Sequence, residues 1–163
     1  MTDDVPTEVV HTESSEVAFR RFVAEVEPPL RRALVAAYGS ERGREATAEA
    51  LAWSWEHFDT LDSLANPVAY LFRVGQSRSR LRRRRVVFEC QASSDIWVEP
   101  KLSTALASLT ERQRVSVMLV HGAGWTHAEV AQLLGVSEPT VQTHVDRALR
   151  KLRAELGGTD DRR

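Results

Sequence analysis

An all-α protein, built as two small helical domains joined by a linker, is what this sequence predicts. Three observations carry that prediction. Apolar residues recur at helical spacing through residues 15–86 and again through 103–156. Between them, residues 87–102 break the period with Gln91, Ser93, Ser94 and Pro100. No pair of strand-like runs is found anywhere along the chain, and a length of 163 residues suits one domain or two small ones.

The elements follow in order. Residues 1–14 are polar, acidic and without a period, and are expected to be a disordered tail. Ser15 can cap a helix whose apolar positions are Val17, Phe19, Phe22, Val23, Val26 and Leu30. Pro28 and Pro29 interrupt it, so the helix should bend or restart there, and Gly39 is placed to end it. Ser40 starts another helix through about Phe58, carrying Ala46, Ala50, Leu51, Trp53 and Trp55. Asn66-Pro67 is a helix-start signal, with asparagine as the cap and proline at the first helical position. That helix holds Val68, Tyr70, Leu71 and Val74 and runs into an arginine cluster.

A net charge of −1 hides an asymmetry. Arg73, Arg78, Arg80, Arg82, Arg83, Arg84 and Arg85 fall within residues 66–86, which contain no acid. The first 65 residues are acidic, with Asp3, Asp4, Glu8, Glu13, Glu16, Glu25 and Glu27 among them. A basic centre of this kind suits a polyanion partner. Cys90 is the single cysteine, which excludes an internal disulfide and a cysteine-based zinc site. No apolar stretch is long enough to span a bilayer and the N-terminus is no signal peptide, so membrane insertion is not expected and a cytoplasmic location is.

The second half is more specific. Thr110 caps a helix through about His121, and Gly122 and Gly124 end it. Thr126 with Glu129 three residues later forms a capping box, so a short helix starts there and stops at Gly135. Ser137 caps the next helix, with Pro139 in its first turn. A short helix, a tight turn and a long second helix make a helix-turn-helix, whose second helix enters the DNA major groove. Val141, Val145, Ala148 and Leu152 share one face of that second helix. The opposite face carries Pro139, Gln142, Thr143, Asp146 and Arg150, with Arg147 on its flank. Gln142 and Thr143 suit base edges, and Arg147 and Arg150 suit phosphates.

Several stretches together resemble a family. They are Leu109-Thr110-Glu111-Arg112-Gln113-Arg114, Thr126-His127-Ala128-Glu129-Val130-Ala131 and Thr140-Val141-Gln142-Thr143-His144-Val145-Asp146-Arg147-Ala148-Leu149. All look like the C-terminal domain of extracytoplasmic-function sigma factors of the sigma-70 family. The same stretch also resembles LuxR-type regulators, whose pattern His144 is nearer to. The first half favours sigma: Asn66-Pro67-Val68-Ala69-Tyr70-Leu71-Phe72-Arg73-Val74 is similar to the helix that opens the −10 element, and the basic run follows it. The run Gly75-Gln76-Ser77-Arg78-Ser79-Arg80 departs from the family pattern and marks a divergent, sigma-like subgroup.

The resemblance implies a sigma domain 2-like bundle over residues 15–86 and a sigma domain 4-like helix-turn-helix over 103–156, followed by a tail at 157–163. It implies promoter DNA and core RNA polymerase as partners, with an anti-sigma factor as a further one. Expected DNA-binding residues are Ser137, Pro139, Thr140, Gln142, Thr143, His144, Arg147 and Arg150 at the −35 element, and Tyr70, Arg73, Arg78, Arg80 and Arg82 at the −10 element. The alternative is a stand-alone LuxR-like regulator that does not act as a sigma factor. Tyr70 and Phe72 are either stacking residues for unpaired bases or core. Trp53, Trp55 and Phe58 are read as core in preference to a docking surface. His57, His121 and His127 have no partners at ligand spacing, so no metal or cofactor is expected. No nucleophile–base pair, carboxylate pair or phosphate loop occurs at usable spacing, so an enzyme is not expected.

Overall fold

A computed structural model describes residues 7–80 and 101–157. The described residues form helices joined by short turns and loops, with no strand among them. Four helices make the first half: α1 (Thr7–Tyr38), α2 (Ser40–Glu56), the short α3 (Phe58–Asp62) and α4 (Pro67–Arg80). The second half holds α5 (Leu102–Ser108), α6 (Glu111–Val117), a π-turn (Met118–Gly122), α7 (His127–Leu134) and α8 (Glu138–Gly157). The expected linker features Cys90, Ile96 and Trp97, the run Arg82–Arg85, the first six residues and the last six lie outside the described residues.

Two expectations for α1 are corrected. The helix begins at Thr7, not at Ser15, so residues 7–14 are helical rather than a disordered tail. Once the buried turns from Phe22 onward nucleate a helix, each added residue gains one hydrogen bond for little further ordering. Nor does the helix restart at Pro28 and Pro29, since both lie inside α1. Their missing N–H groups release the carbonyls four residues back, at Ala24 and Glu25, and both of these residues are exposed and reach water. Val26, Leu30, Ala33, Leu34 and Ala37, all buried, hold the helix to the core on the other side.

Helix α1 stops where Gly39 takes a positive φ of 83°, and α2 turns back along it. The contact is made of small residues: Ala33, Ala36 and Ala37 on α1 face Gly43, Ala46 and Ala50 on α2, all buried. Small side chains let two helix backbones come close. The buried hydroxyls inside α2 are satisfied by its own carbonyls, Thr47 Oγ1 donating to Gly43 at 2.7 Å and Ser54 Oγ to Leu51 at 2.6 Å. Asn66 caps α4 as expected, its Oδ1 accepting from the Ala69 N–H at 2.9 Å.

The two halves share one core. A single cluster of buried side chains runs from Phe22, Leu30 and Leu34 through Leu71 and Phe72 to Val115, Leu119, Val130, Leu133 and Val141. A smaller cluster, Leu109, Val117 and Ala148, sits between α6 and α8. Between the halves lies Arg114, only 4% exposed. Its guanidinium donates to the Ala37 carbonyl at the end of α1 (Nη2, 2.7 Å) and to the Leu109 carbonyl of its own half (Nη1, 2.9 Å). Burial lowers the Arg114 pKa, and the charges of Glu111 and Tyr38 work against that shift.

Candidate nucleic-acid interface

The helix-turn-helix is built as its sequence predicts. Thr126 Oγ1 accepts from the Glu129 N–H at 3.2 Å, and the Glu129 carboxylate accepts from the Thr126 N–H at 2.7 Å, a reciprocal capping box. Thr110 and Gln113 make the same box one helix earlier. Gly135 ends α7 at φ 64°, a conformation open to glycine at no steric cost. Val136 follows, half-buried in the turn, and Ser137 Oγ lies 2.8 Å from Thr140 Oγ1 at the start of α8. The expected helix through His121 is instead α6 followed by the π-turn, and the Trp125 N–H reaches back to the Leu119 carbonyl at 2.9 Å.

Helix α8 divides as its spacing says. Val141, Val145 and Ala148 are buried and Leu152 is half-buried. Ser137, Pro139, Gln142, Thr143, Arg147 and Arg150 are exposed on the outer side. Thr140 and His144 are half-buried and lie off that face. Desolvation lowers the His144 pKa, and the charges of Arg112 and Arg147 lower it further. Sequence reasoning passed over the role of Asp146, whose carboxylate accepts from Gln142 Nε2 at 3.0 Å. The i, i+4 spacing was the signal that could have found this pair. Thr143 Oγ1 donates to the Pro139 carbonyl at 2.9 Å.

The capping-box carboxylate gives a measurable prediction. The backbone hydrogen bond at Thr126, then its hydroxyl, hold the Glu129 pKa below the ordinary glutamate value. A lowered folded pKa means that the stabilisation is present above the unfolded pKa and is lost as pH falls through the folded one. An NMR titration should therefore give Glu129 a midpoint below that of unstructured glutamate, and Thr126→Ala, which removes the hydroxyl but keeps the backbone N–H, should bring it only part of the way back.

On α4 the two alternatives for the aromatic pair separate. Phe72 is core, 1% exposed, and Tyr70 is on the surface, 40% exposed. Tyr70 lies beside Trp53 with ring centroids 5.7 Å apart, and Trp53 stacks flat on His57 at 3.9 Å. Three rings therefore form a ladder that reaches solvent at Tyr70 and His57. The core reading of Trp55 is corrected. It is 53% exposed, with its ring edge-on to Phe19 at 4.8 Å. Trp53 and Phe58 are half-buried against the core. Arg73 and Arg78 are exposed, Arg80 ends α4, and Arg82 lies outside the described residues. Arg73 points across to the other half, where its Nη2 would lie 3.5 Å from a Cβ placed on Gly135. Among the described residues no cluster of histidine, cysteine and acidic side chains could hold a metal, and no helix is long and apolar enough to cross a membrane.

Residues 100–152 match the protein-family model described as Sigma-70, region 4. A longer stretch of the chain carries the same likeness. It is 28% identical to the ECF RNA polymerase sigma factor SigL of Mycobacterium tuberculosis, in an alignment of 132 positions covering 71% of this chain and 75% of the relative. The fold matches the sigma factor RpoE of Bartonella quintana, solved in complex with the anti-sigma factor NepR. There the TM-score is 0.66 and the identity 21%, over 88% of this chain and 98% of that one. It also matches CnrH, solved with the cytosolic domain of CnrY, at a TM-score of 0.61 and 21% identity, over 93% of this chain and 97% of that one. These comparisons agree with the resemblance to extracytoplasmic-function sigma factors.

Proposed function

We propose that this chain is a promoter-specificity subunit that directs core RNA polymerase to its start sites. It would read the −35 element with α8 and the −10 element with α4. The observation that carries this reading is the pairing of a capped α7–Gly135–α8 unit with an outer α8 face of Gln142, Thr143, Arg147 and Arg150. Gln142 and Thr143 reach base edges once the Gln142–Asp146 bond is exchanged for base contacts, while Arg147 and Arg150 bind phosphates. Ser137, Pro139 and Thr140 lie at the end of α8 that enters the groove. His144 supports the helix from within.

At the −10 element, Tyr70 offers a ring on which an unpaired base stacks. Arg73, Arg78, Arg80 and Arg82 follow the strand backbone. The resemblance to SigL, and the anti-sigma complexes in which RpoE and CnrH were solved, support core polymerase and an anti-sigma protein as partners. The role needs no catalytic group.

Run-off transcription with core polymerase on the gene's own upstream DNA tests the proposal. A specific transcript that depends on the protein is expected. Absence of binding to core polymerase, with a two-fold symmetric footprint on duplex DNA, would show a stand-alone regulator instead. Within the −35 contact, Arg147→Ala should weaken binding about equally on all sequences and reduce the salt slope by about one unit. Gln142→Ala should cost about 1–2 kcal/mol at one base position only. Affinity measured on a panel of single-base operator variants at two salt concentrations checks both.

A further inference from the structure

We propose that Glu138, at the end of α8 that enters the groove, selects a cytosine in the duplex element that this helix reads. That role rests on the promoter-reading function proposed above and adds the identity of one base in the target.

Glu138 is the first residue of α8. The first residues of a recognition helix are those that meet base edges, and they do so between two phosphate backbones that repel a negative side chain. Glu138 is exposed, and among the described residues its carboxylate enters no ion pair. The cations of the outer face are too distant to neutralise it. Arg147, the nearer of them along the helix, lies ~14 Å further on at 1.5 Å per residue. Exposed charges more than about 8 Å apart are largely screened at physiological salt. An uncompensated acid at this place weakens DNA binding unless a base edge offers it a donor.

The carboxylate also has somewhere to receive that edge. Glu138 lines a shallow recess of about 520 Å³ with His127, the first residue of α7, and with Pro139 and Gln142 of α8. The first turns of both helices of the helix-turn-helix therefore border one opening, and Gln142, proposed above to reach a base edge, shares it. A first-turn acid suits the helix dipole on any side of the turn, so the dipole alone does not account for a carboxylate beside Gln142. Pro139 fixes its own φ, so the carboxylate is carried next to a stiff piece of backbone.

Hydrogen-bond chemistry then names the base. An ionised carboxylate can only accept. In the major groove the only donors are the amino groups of cytosine, N4, and adenine, N6. Guanine presents the acceptors O6 and N7, and thymine presents O4 and a methyl group, so either would leave the carboxylate desolvated and without a partner. Adenine fits by half. Its N7 acceptor lies beside the amino group and faces the second carboxylate oxygen. Cytosine carries no acceptor on that edge. The order of preference at the base facing Glu138 is therefore cytosine, then adenine, with guanine and thymine last.

The test is binding-site selection from a randomised duplex, with the full chain alone and with the full chain bound to core polymerase, followed by affinities for all four bases at each selected position. One position should prefer cytosine over guanine and thymine by about tenfold, with adenine between. Glu138→Ala should level the four bases at that position. Glu138→Arg should turn the preference there to guanine, whose O6 and N7 take the arginine fork. Both substitutions remove negative charge and so should tighten binding to every sequence. The ratio between bases at one position is the readout that a purely electrostatic role would not move. The proposal is overturned if no selected cytosine depends on residue 138, or if Glu138→Arg leaves the preferred base unchanged. An enriched element indifferent to residue 138 would sink this role alone. No enriched element and no specific transcript would sink the promoter reading and this role together.

Discussion

Arg114→Ala is expected to lower the stability of the protein by about 3 kcal/mol or more, measured as a shift in the urea midpoint at unchanged slope. The Arg114 guanidinium donates to three main-chain carbonyls, of Ala37, Leu109 and Leu106, at 2.7, 2.9 and 3.4 Å for the shortest bond to each. Alanine removes the charge together with all of its donors, so the surrounding carbonyls lose their partner in a nearly dry site. A buried polar group left unsatisfied costs roughly 1–3 kcal/mol. The stem contributes too, because a side chain only 4% exposed fills volume that alanine leaves empty. Arg114→Lys should recover part of the loss, since one ammonium cannot copy the spread of the guanidinium donors. Leu109 and Leu106 belong to the same half as Arg114, whereas Ala37 does not. The substitution should therefore loosen the helix-turn-helix unit and its contact with α1 together.

Arg114 also shows where the sequence was legible and where it was not. The capping boxes at Thr110 and Thr126, the turn at Gly135 and the Asn66 cap are local rules: each bonds residues three or four positions apart, so a short window of sequence contains both partners. They placed the helix-turn-helix correctly. The bond from Arg114 to Ala37 spans 77 positions, and no periodicity announces a pairing at that range. The shared core escaped for the same reason. An apolar stripe on α1 says that something covers it, without saying that residues of α6 and the π-turn share that task. Tyr70 and Phe72 illustrate a finer limit. Two residues apart on one helix, they point to different sides, and one becomes core while the other meets solvent. Trp55 failed because size alone argued for burial, while its place on α2 left it only the edge of Phe19 to pack on. At α1 the rule used was sound and the context overrode it: the carbonyls that Pro28 and Pro29 release belong to exposed residues.

Gly43→Ala should destabilise the protein by about 1–2 kcal/mol, although by helix propensity alone it should help. Alanine is favoured over glycine in a helix interior by about 1 kcal/mol, and Gly43 lies inside α2. Against that gain stands the backbone of α1. A Cβ at position 43 would sit 2.5 Å from Val35 Cα and 2.6 Å from Val35 N. These are main-chain atoms in the last turn of a packed helix and cannot swing aside as a side-chain tip does. Relief requires α1 and α2 to separate, which loosens Ala33, Ala37, Ala46 and Ala50 along the same contact. Overpacking of this kind costs 1–3 kcal/mol and occasionally more, enough to reverse the propensity gain. Gly75 supplies the control. A Cβ there would meet Leu34 Cδ1 and Cδ2 at 3.0 and 3.1 Å, the flexible end of a side chain, so Gly75→Ala should stay within about 1 kcal/mol of the parent. Chemical unfolding of the two variants side by side decides the matter. If Gly43→Ala proved as stable as Gly75→Ala, the close approach of α1 and α2 would not be the constraint that fixes glycine at position 43.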